Sequence, residues 1–219
     1  MTQSERGVWL TDAAHRDDLA TFTERALRLD DAAVIRLRQR PGRVISAWVA
    51  TGFDVLASRV IGGRVNPPDL TAGADALAAG LAAMDGAGRV EPGFTMDSAW
   101  RGALPPESGF VHLDDVPARV LLDLADRGAV LARQHSSSHG PPASLLDSEV
   151  VAVSSGDDSV GIPMRCVFAL TAMGFLPASG DAVADDEIVR VRVVPAWLRV
   201  DARFGSVYRR RGAPAVVLR

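Results

Sequence analysis

A chain of 219 residues can bury a full core without disulfides or metal, and it lies between the sizes of one large domain and two small ones. Its 47% hydrophobic and 23% charged residues exclude a disordered or fibrous chain, and a formal net charge of -3 excludes one that is basic throughout. Cys166 is the only cysteine, so no intramolecular disulfide forms.

Met1 to Gly7 lack the basic-then-apolar pattern of a secretory leader, and no uncharged apolar run reaches the roughly 20 residues that cross a bilayer. The expectation is a cytoplasmic protein that avoids the membrane and needs no cofactor. All 24 basic residues are arginine, as in the product of a GC-rich genome. Arginine chosen by codon usage is not by itself a sign of bidentate anion recognition.

In chain order, Gly7 to Leu10 reads as a strand, and Thr11 or Asp12 caps a helix to Leu29 whose stripe is Leu19, Phe22, Ala26 and Leu29. Period two then sets in, with Ile35 and Leu37 on one face and Arg36, Arg38 and Arg40 on the other. Pro41-Gly42 is a turn, Val44 to Thr51 and Asp54 to Ile61 are strands, and Gly62-Gly63 closes a meander. Asp69 or Thr71 is expected to cap a helix carrying Leu70, Leu77, Leu81 and Met84, stopped by Gly86 and Gly88. Residues 89–108 show no period and read as a linker or long loop between halves at 1–88 and 109–219.

Phe110 to Leu113 opens the second half as a strand, with Asp114 and Asp115 as caps of a helix bearing Val116, Val120, Leu124 and Leu131. A loop from His135 to Ala143 leads to a strand at Glu149 to Val153 and a turn at Ser155 to Asp158. Pro163 to Met173 is an almost wholly apolar helix, buried on most sides. Beyond an acidic loop at Asp181 to Glu187, alternation returns at Ile188 to Val194 and at Trp197 to Arg211.

Two pieces of this layout recur. Val34-Ile35-Arg36-Leu37-Arg38 matches Ile188-Val189-Arg190-Val191-Arg192 in pattern, and the strand-then-capped-helix opening appears at Val8 to Leu29 and again at Phe110 to Gln134. A degenerate duplication accounts for both, and so does the plain appearance of exposed strands in an arginine-rich protein. The fold class is therefore α+β: two small antiparallel meander sheets, or one composite sheet, packed by about four helices.

Charge is segregated. Residues 33–64 hold six arginines against Asp54, and 188–219 hold eight against Asp201. Three readings compete for this pattern. The arginines are structural, paired with acids or solvated; or they bind an acidic partner such as nucleic acid; or they meet the acidic face of a second copy. The candidate polyanion-binding residues are Arg36, Arg38, Arg40, Arg190, Arg192, Arg199, Arg203, Arg209, Arg210 and Arg211.

Catalytic motifs do not emerge. Without lysine there is no Gly-x-x-x-x-Gly-Lys phosphate loop. Cys166 sits in the most apolar helix, where a thiol packs instead of reacting. His135 and His139 have the spacing of two metal ligands on one helical face, with Asp147 and Glu149 to complete a set, but the serines and prolines around them make a loop, and no metal site is assigned. His112, in an apolar strand beside Asp114 and Asp115, reads as a satisfied core or cap residue.

The segments Phe53-Asp54-Val55-Leu56-Ala57-Ser58-Arg59 and Ile162-Pro163-Met164-Arg165-Cys166-Val167-Phe168-Ala169-Leu170 resemble an uncharacterised family of conserved hypothetical proteins of actinobacteria. That resemblance implies no activity and carries over no functional residue. The expected function is a non-catalytic cytoplasmic interaction or regulatory protein, with an unknown protein partner or a second copy. The alternative is polyanion binding through the arginine strands, and third comes a small-molecule enzyme without a recognisable motif.

Overall fold

A computed structural model describes residues 6–135, 140–156, 158–177, 184 and 186–212. The chain divides into two compact units, Met1–Gly52 with Leu56–Ala103, and Phe53–Val55 with Leu104–Arg219.

The first unit opens with β1 (Gly7–Leu10) and α1 (Ala13–Leu29). Asp12 caps the helix by accepting the His15 N–H at 3.0 Å, and Leu19, Phe22 and Ala26 turn inward as their spacing requires. The meander follows as β2 (Val34–Arg40), β3 (Val44–Thr51) and β4 (Val55–Asn66). Ile35 and Leu37 are fully buried while the arginines between them face outward, so period two is obeyed residue by residue.

β5 (Asp69–Gly73) pairs antiparallel with the outer side of β2 and runs directly into α2 (Ala74–Ala82). Here the structure corrects the sequence reading. Asp69 and Thr71 are strand residues, and α2 begins after Gly73 with no side-chain cap. The supposed linker also carries structure: β6 (Arg89–Val90) pairs with β1, and Asp97 accepts the Thr71 N–H at 2.8 Å. Burial works to raise the Asp97 carboxyl, but bonds from the Thr95 hydroxyl and from Thr71 outweigh it and hold the group below its usual range.

Gly62 and Gly63 do not end the meander. They lie inside β4, where β1 crosses at its tightest: a β-carbon on Gly63 would stand 2.6 Å from the Trp9 carbonyl oxygen, and one on Gly62 would stand 2.6 Å from the His15 ring. Gly63 marks a close backbone approach and Gly62 makes room for the His15 and Thr11 side chains, and neither is a turn.

The second unit repeats the scheme. β7 (Val111–Pro117) leads into α3 (Ala118–His135), and the short α4 (Ala143–Asp147) precedes the hairpin β8 (Glu149–Ser155) and β9 (Asp158–Pro163). β9 runs into α5 (Met164–Ala172), and the meander β10 (Ile188–Val194), β11 (Trp197–Ala202) and β12 (Gly205–Arg210) completes the unit. Asp114 and Asp115 are strand residues, not caps. The face of α3 that turns inward is Ala118, Leu121, Ala125 and Gly128, whereas Val120 and Leu131 of the expected stripe are exposed. Small residues win that face because α5 lies against it: a β-carbon on Gly128 would stand 2.9 Å from Met164 and Phe168.

The duplication is visible in the strand order. Each unit has a meander whose first strand is flanked by the strand leading into a helix, β5 beside β2 and β7 beside β10. Each unit also has one long helix, of 17 or 18 residues, and one of 9. The order along the chain differs, since the meander follows the long helix in the first unit and the short helix in the second.

Gly63→Ala should lower the urea midpoint by an amount equivalent to about 1–3 kcal/mol, the usual cost of overpacking. Gly52→Ala, with open space around its α-carbon, should stay within about 0.5 kcal/mol of the parent.

Candidate polyanion-binding face

Each arginine strand is met by a carboxylate from a neighbouring strand. On β2, Arg36 forms a two-pronged pair with Asp69 of β5, with both N···O distances 2.7 Å, and Arg38 adds a contact of 3.3 Å to the same carboxylate. The bond to Asp69 holds the Arg36 proton more tightly than usual, and the guanidinium also lies 5.7 Å from the Trp100 ring centre. Arg40 reaches only the Ser46 hydroxyl, at 3.5 Å.

Asp201 of β11 does the same work in the second unit. It accepts from Arg192, from Arg199 Nε at 2.6 Å and from the Ser206 hydroxyl, and its side chain is only 12% exposed. Arg199 also lies between Phe110 and Tyr208, at 5.5 and 5.4 Å. Arg203 pairs with Glu187 at 2.7 Å. Asp147, at the end of α4, takes Arg165 at 2.6 Å and Arg209 at 3.0 Å.

Four of the ten candidates stand apart. Among the described residues, no carboxylate lies within ion-pair distance of Arg40, Arg190, Arg210 or Arg211. Arg190 is the instructive case: its register partners are both aspartates, Asp201 and Asp115. Asp201 is already held by Arg192 and Arg199, and Asp115 by His112 at 2.9 Å, so the Arg190 side chain stays exposed. Arg210 stacks over Trp197 at 5.1 Å, and Arg211 reaches the Val194 carbonyl at 3.5 Å.

The structure thus gathers Arg36 with Arg38, Arg192 with Arg199, and Arg209 with Arg210 and Arg211. The last three line a cleft of ≈ 340 Å³ together with Glu149 and with Ser159 and Gly161 of β9. Strand periodicity places Arg210 opposite its two neighbours, so nothing in the sequence brings the three to one cleft. Nor does the sequence reveal Asp69 and Asp147 as partners, because Asp69 reads as a helix cap and Asp147 as a ligand beside His135 and His139. The loneliness of Asp201 among eight arginines was the one signal available.

Cys166 is fully buried on α5, and burial pushes its thiol up to about 12 against the opposing pull of Arg209 and Arg165. His135 ends α3, and His139 lies outside the described residues.

The strand-to-helix scheme with one meander per unit makes an α+β fold, and comparison with solved structures finds that fold elsewhere. The chain is similar to the DNA polymerase sliding clamp from Caulobacter crescentus (TM-score 0.56, 14% identity, covering 99% of this chain and 69% of that one). It is also similar to the sliding clamps from Bacillus subtilis (0.59, 12%, 97% and 67%) and Pseudomonas aeruginosa (0.54, 11%, 97% and 68%). At such identities the likeness defines the fold.

In sequence, residues 105–214 match the family described as a domain of unknown function, DUF8185, and residues 3–102 match another, DUF8010. The first match takes in half of the chain, which belongs to the DUF8185 family. No curated protein matches it in sequence.

Removing the carboxylate at Asp201 strands two guanidiniums, so Asp201→Asn should cost about 1–3 kcal/mol in chemical denaturation. Asp54→Asn, at a side chain 88% exposed and 3.9 Å from Arg165, should cost under about 0.5 kcal/mol. A thiol reagent at neutral pH should label Cys166 only as fast as the protein unfolds, and labelling rates should rise with denaturant; immediate labelling of the folded protein would contradict its burial.

Proposed function

We propose that this chain is a non-catalytic interaction protein of the cytoplasm, with a clamp-like fold that holds a protein partner, a second copy of itself included. One observation carries the reading. The likeness to proteins named as sliding clamps of DNA polymerase runs through both units, 97–99% of the chain, instead of through one common α+β piece. Light scattering across a wide concentration range should return a mass above that of one chain. A single-chain mass at every concentration would remove the second copy from the partners.

A second reading, polyanion binding through the arginine strands, is favoured by Arg40, Arg190, Arg210 and Arg211, whose charges the described carboxylates leave uncompensated. The charge lies on strands and not on helices: α1 carries three arginines against three acids, and α3 three against two. Attraction to a polyanion is therefore a property of the sheet faces. Fluorescence anisotropy with a labelled oligonucleotide at low salt should show binding that weakens as salt rises. Arg40→Gln with Arg190→Gln should flatten the slope of log affinity against log salt by about one for each arginine removed. An oligonucleotide that is not retained even at low salt removes this reading and leaves the first in place.

A further inference from the structure

The cleft beside β12 has the build of a site for a specific anion, which a merely basic surface does not have. Its ≈ 340 Å³ lies at the small end of the range of ligand pockets, enough for a phosphate and the sugar attached to it. Arg209, Arg210 and Arg211 line it, and each is held differently. Asp147 fixes Arg209 from one side at 3.0 Å, so this guanidinium is a placed charge and not a mobile one. Arg210 lies 5.1 Å over the Trp197 ring, a stack that orients its planar fork without consuming its N–H donors. Arg211 spends one donor on a long 3.5 Å contact to Val194, and its backbone N–H is tied to Ala196 at 2.9 Å.

β9 contributes Ser159, Val160 and Gly161 to the lining. The Glu149 carboxylate lies over that glycine, where an added β-carbon would meet its Oε2 at 2.2 Å. Three arginines and one carboxylate thus line the cleft, and the Asp147 carboxylate that pairs with Arg209 is shared with Arg165, so the lining is net positive. A carboxylate ligand or a backbone phosphodiester brings one negative charge, whereas a phosphate monoester brings nearly two, with three acceptor oxygens suited to forked donors.

We propose that this cleft holds a phosphate monoester, an inference that rests on the polyanion reading and gives it a specific address. The monoester belongs either to the end of a nucleic-acid strand or to a free nucleotide. Both present the same dianionic group to Arg210 and Arg211, and Glu149 is left to accept from a hydroxyl or amino group beyond the phosphate.

The test uses the full chain and one oligonucleotide labelled at its 3′ end, prepared with a 5′-phosphate and with a 5′-hydroxyl, followed by anisotropy at low salt. The phosphorylated strand should bind roughly tenfold tighter, as expected for one added set of charge-assisted bonds. Arg210→Gln with Arg211→Gln should abolish that preference, whereas Arg40→Gln with Arg190→Gln should weaken both strands alike and preserve it. Melting curves report whether the double variant is folded, and Arg211→Gln alone, which leaves the Trp197 stack intact, reads the same contrast if it is not.

A mononucleotide 5′-monophosphate then separates the sources. Competition at comparable affinity assigns the cleft to a free nucleotide, and failure to compete assigns it to a strand end. Equal binding of the two strands overturns the cleft proposal while the polyanion reading survives. Retention of neither strand, with calorimetric binding of the mononucleotide that the Arg211 variant loses, supports the cleft and removes the polyanion reading. No binding by any of the three probes overturns both.

Discussion

Side chains two residues apart on a strand share a face, so an Arg-x-Arg strand forces like charges together unless something relieves them. In this protein the relief is a carboxylate on the adjoining strand. Asp69 of β5 meets Arg36 and Arg38 of β2, and Asp201 of β11 meets Arg192 of β10 together with Arg199 of its own strand. Each aspartate ties neighbouring strands in register as well as cancelling charge, because the pairing works only when its carboxylate comes opposite the guanidiniums. The inner faces of the same strands carry Ile35, Leu37, Val189, Val191 and Val193, all buried. Register, core and charge relief are thus one constraint seen from two sides of the sheet.

The same constraint explains which cations remain available. An aspartate that already accepts from two arginines has little left to offer a third, and Arg190 is left exposed between two aspartates that are both engaged. Arg210 and Arg211 come at the end of β12, past the last strand residue of the meander that carries an acid. Uncompensated charge accumulates where the supply of carboxylates on neighbouring strands runs out, and any anionic ligand would be attracted there.

Helix packing follows a different rule. α3 turns Gly128 toward α5, and α5 answers with Met164 and Phe168, so the smallest residue receives the large ones. Gly63 of β4 serves the same purpose for backbone against backbone. Size complementarity decides these contacts, and hydropathy alone is a poor guide to them: Val120 and Leu131 of α3 are left exposed while Ala118, Ala125 and Gly128 are buried.

What the sequence determined by itself was a part of what depends on periodicity and local chemistry. The alternation of β2 and β10, a cap for α1 at Thr11 or Asp12, the buried helix around Cys166 and a strand ahead of each long helix all follow from spacings of two to four residues. Tertiary structure alone decided the rest. Asp69, Asp114 and Asp115 look like helix caps, since a cap and a strand-end acid use the same residue in the same local setting, and only the strands laid beside them, β2 with Arg36 and β10 with Arg190, tell them apart. Gly62-Gly63 looks like a turn until β1 is laid against it. The gathering of Arg209, Arg210 and Arg211 into one cleft defies strand alternation and depends on β8 and β9, some fifty residues earlier in the chain. Local pattern is written in neighbouring residues, whereas charge partners and clefts arise between segments that only the folded chain brings together.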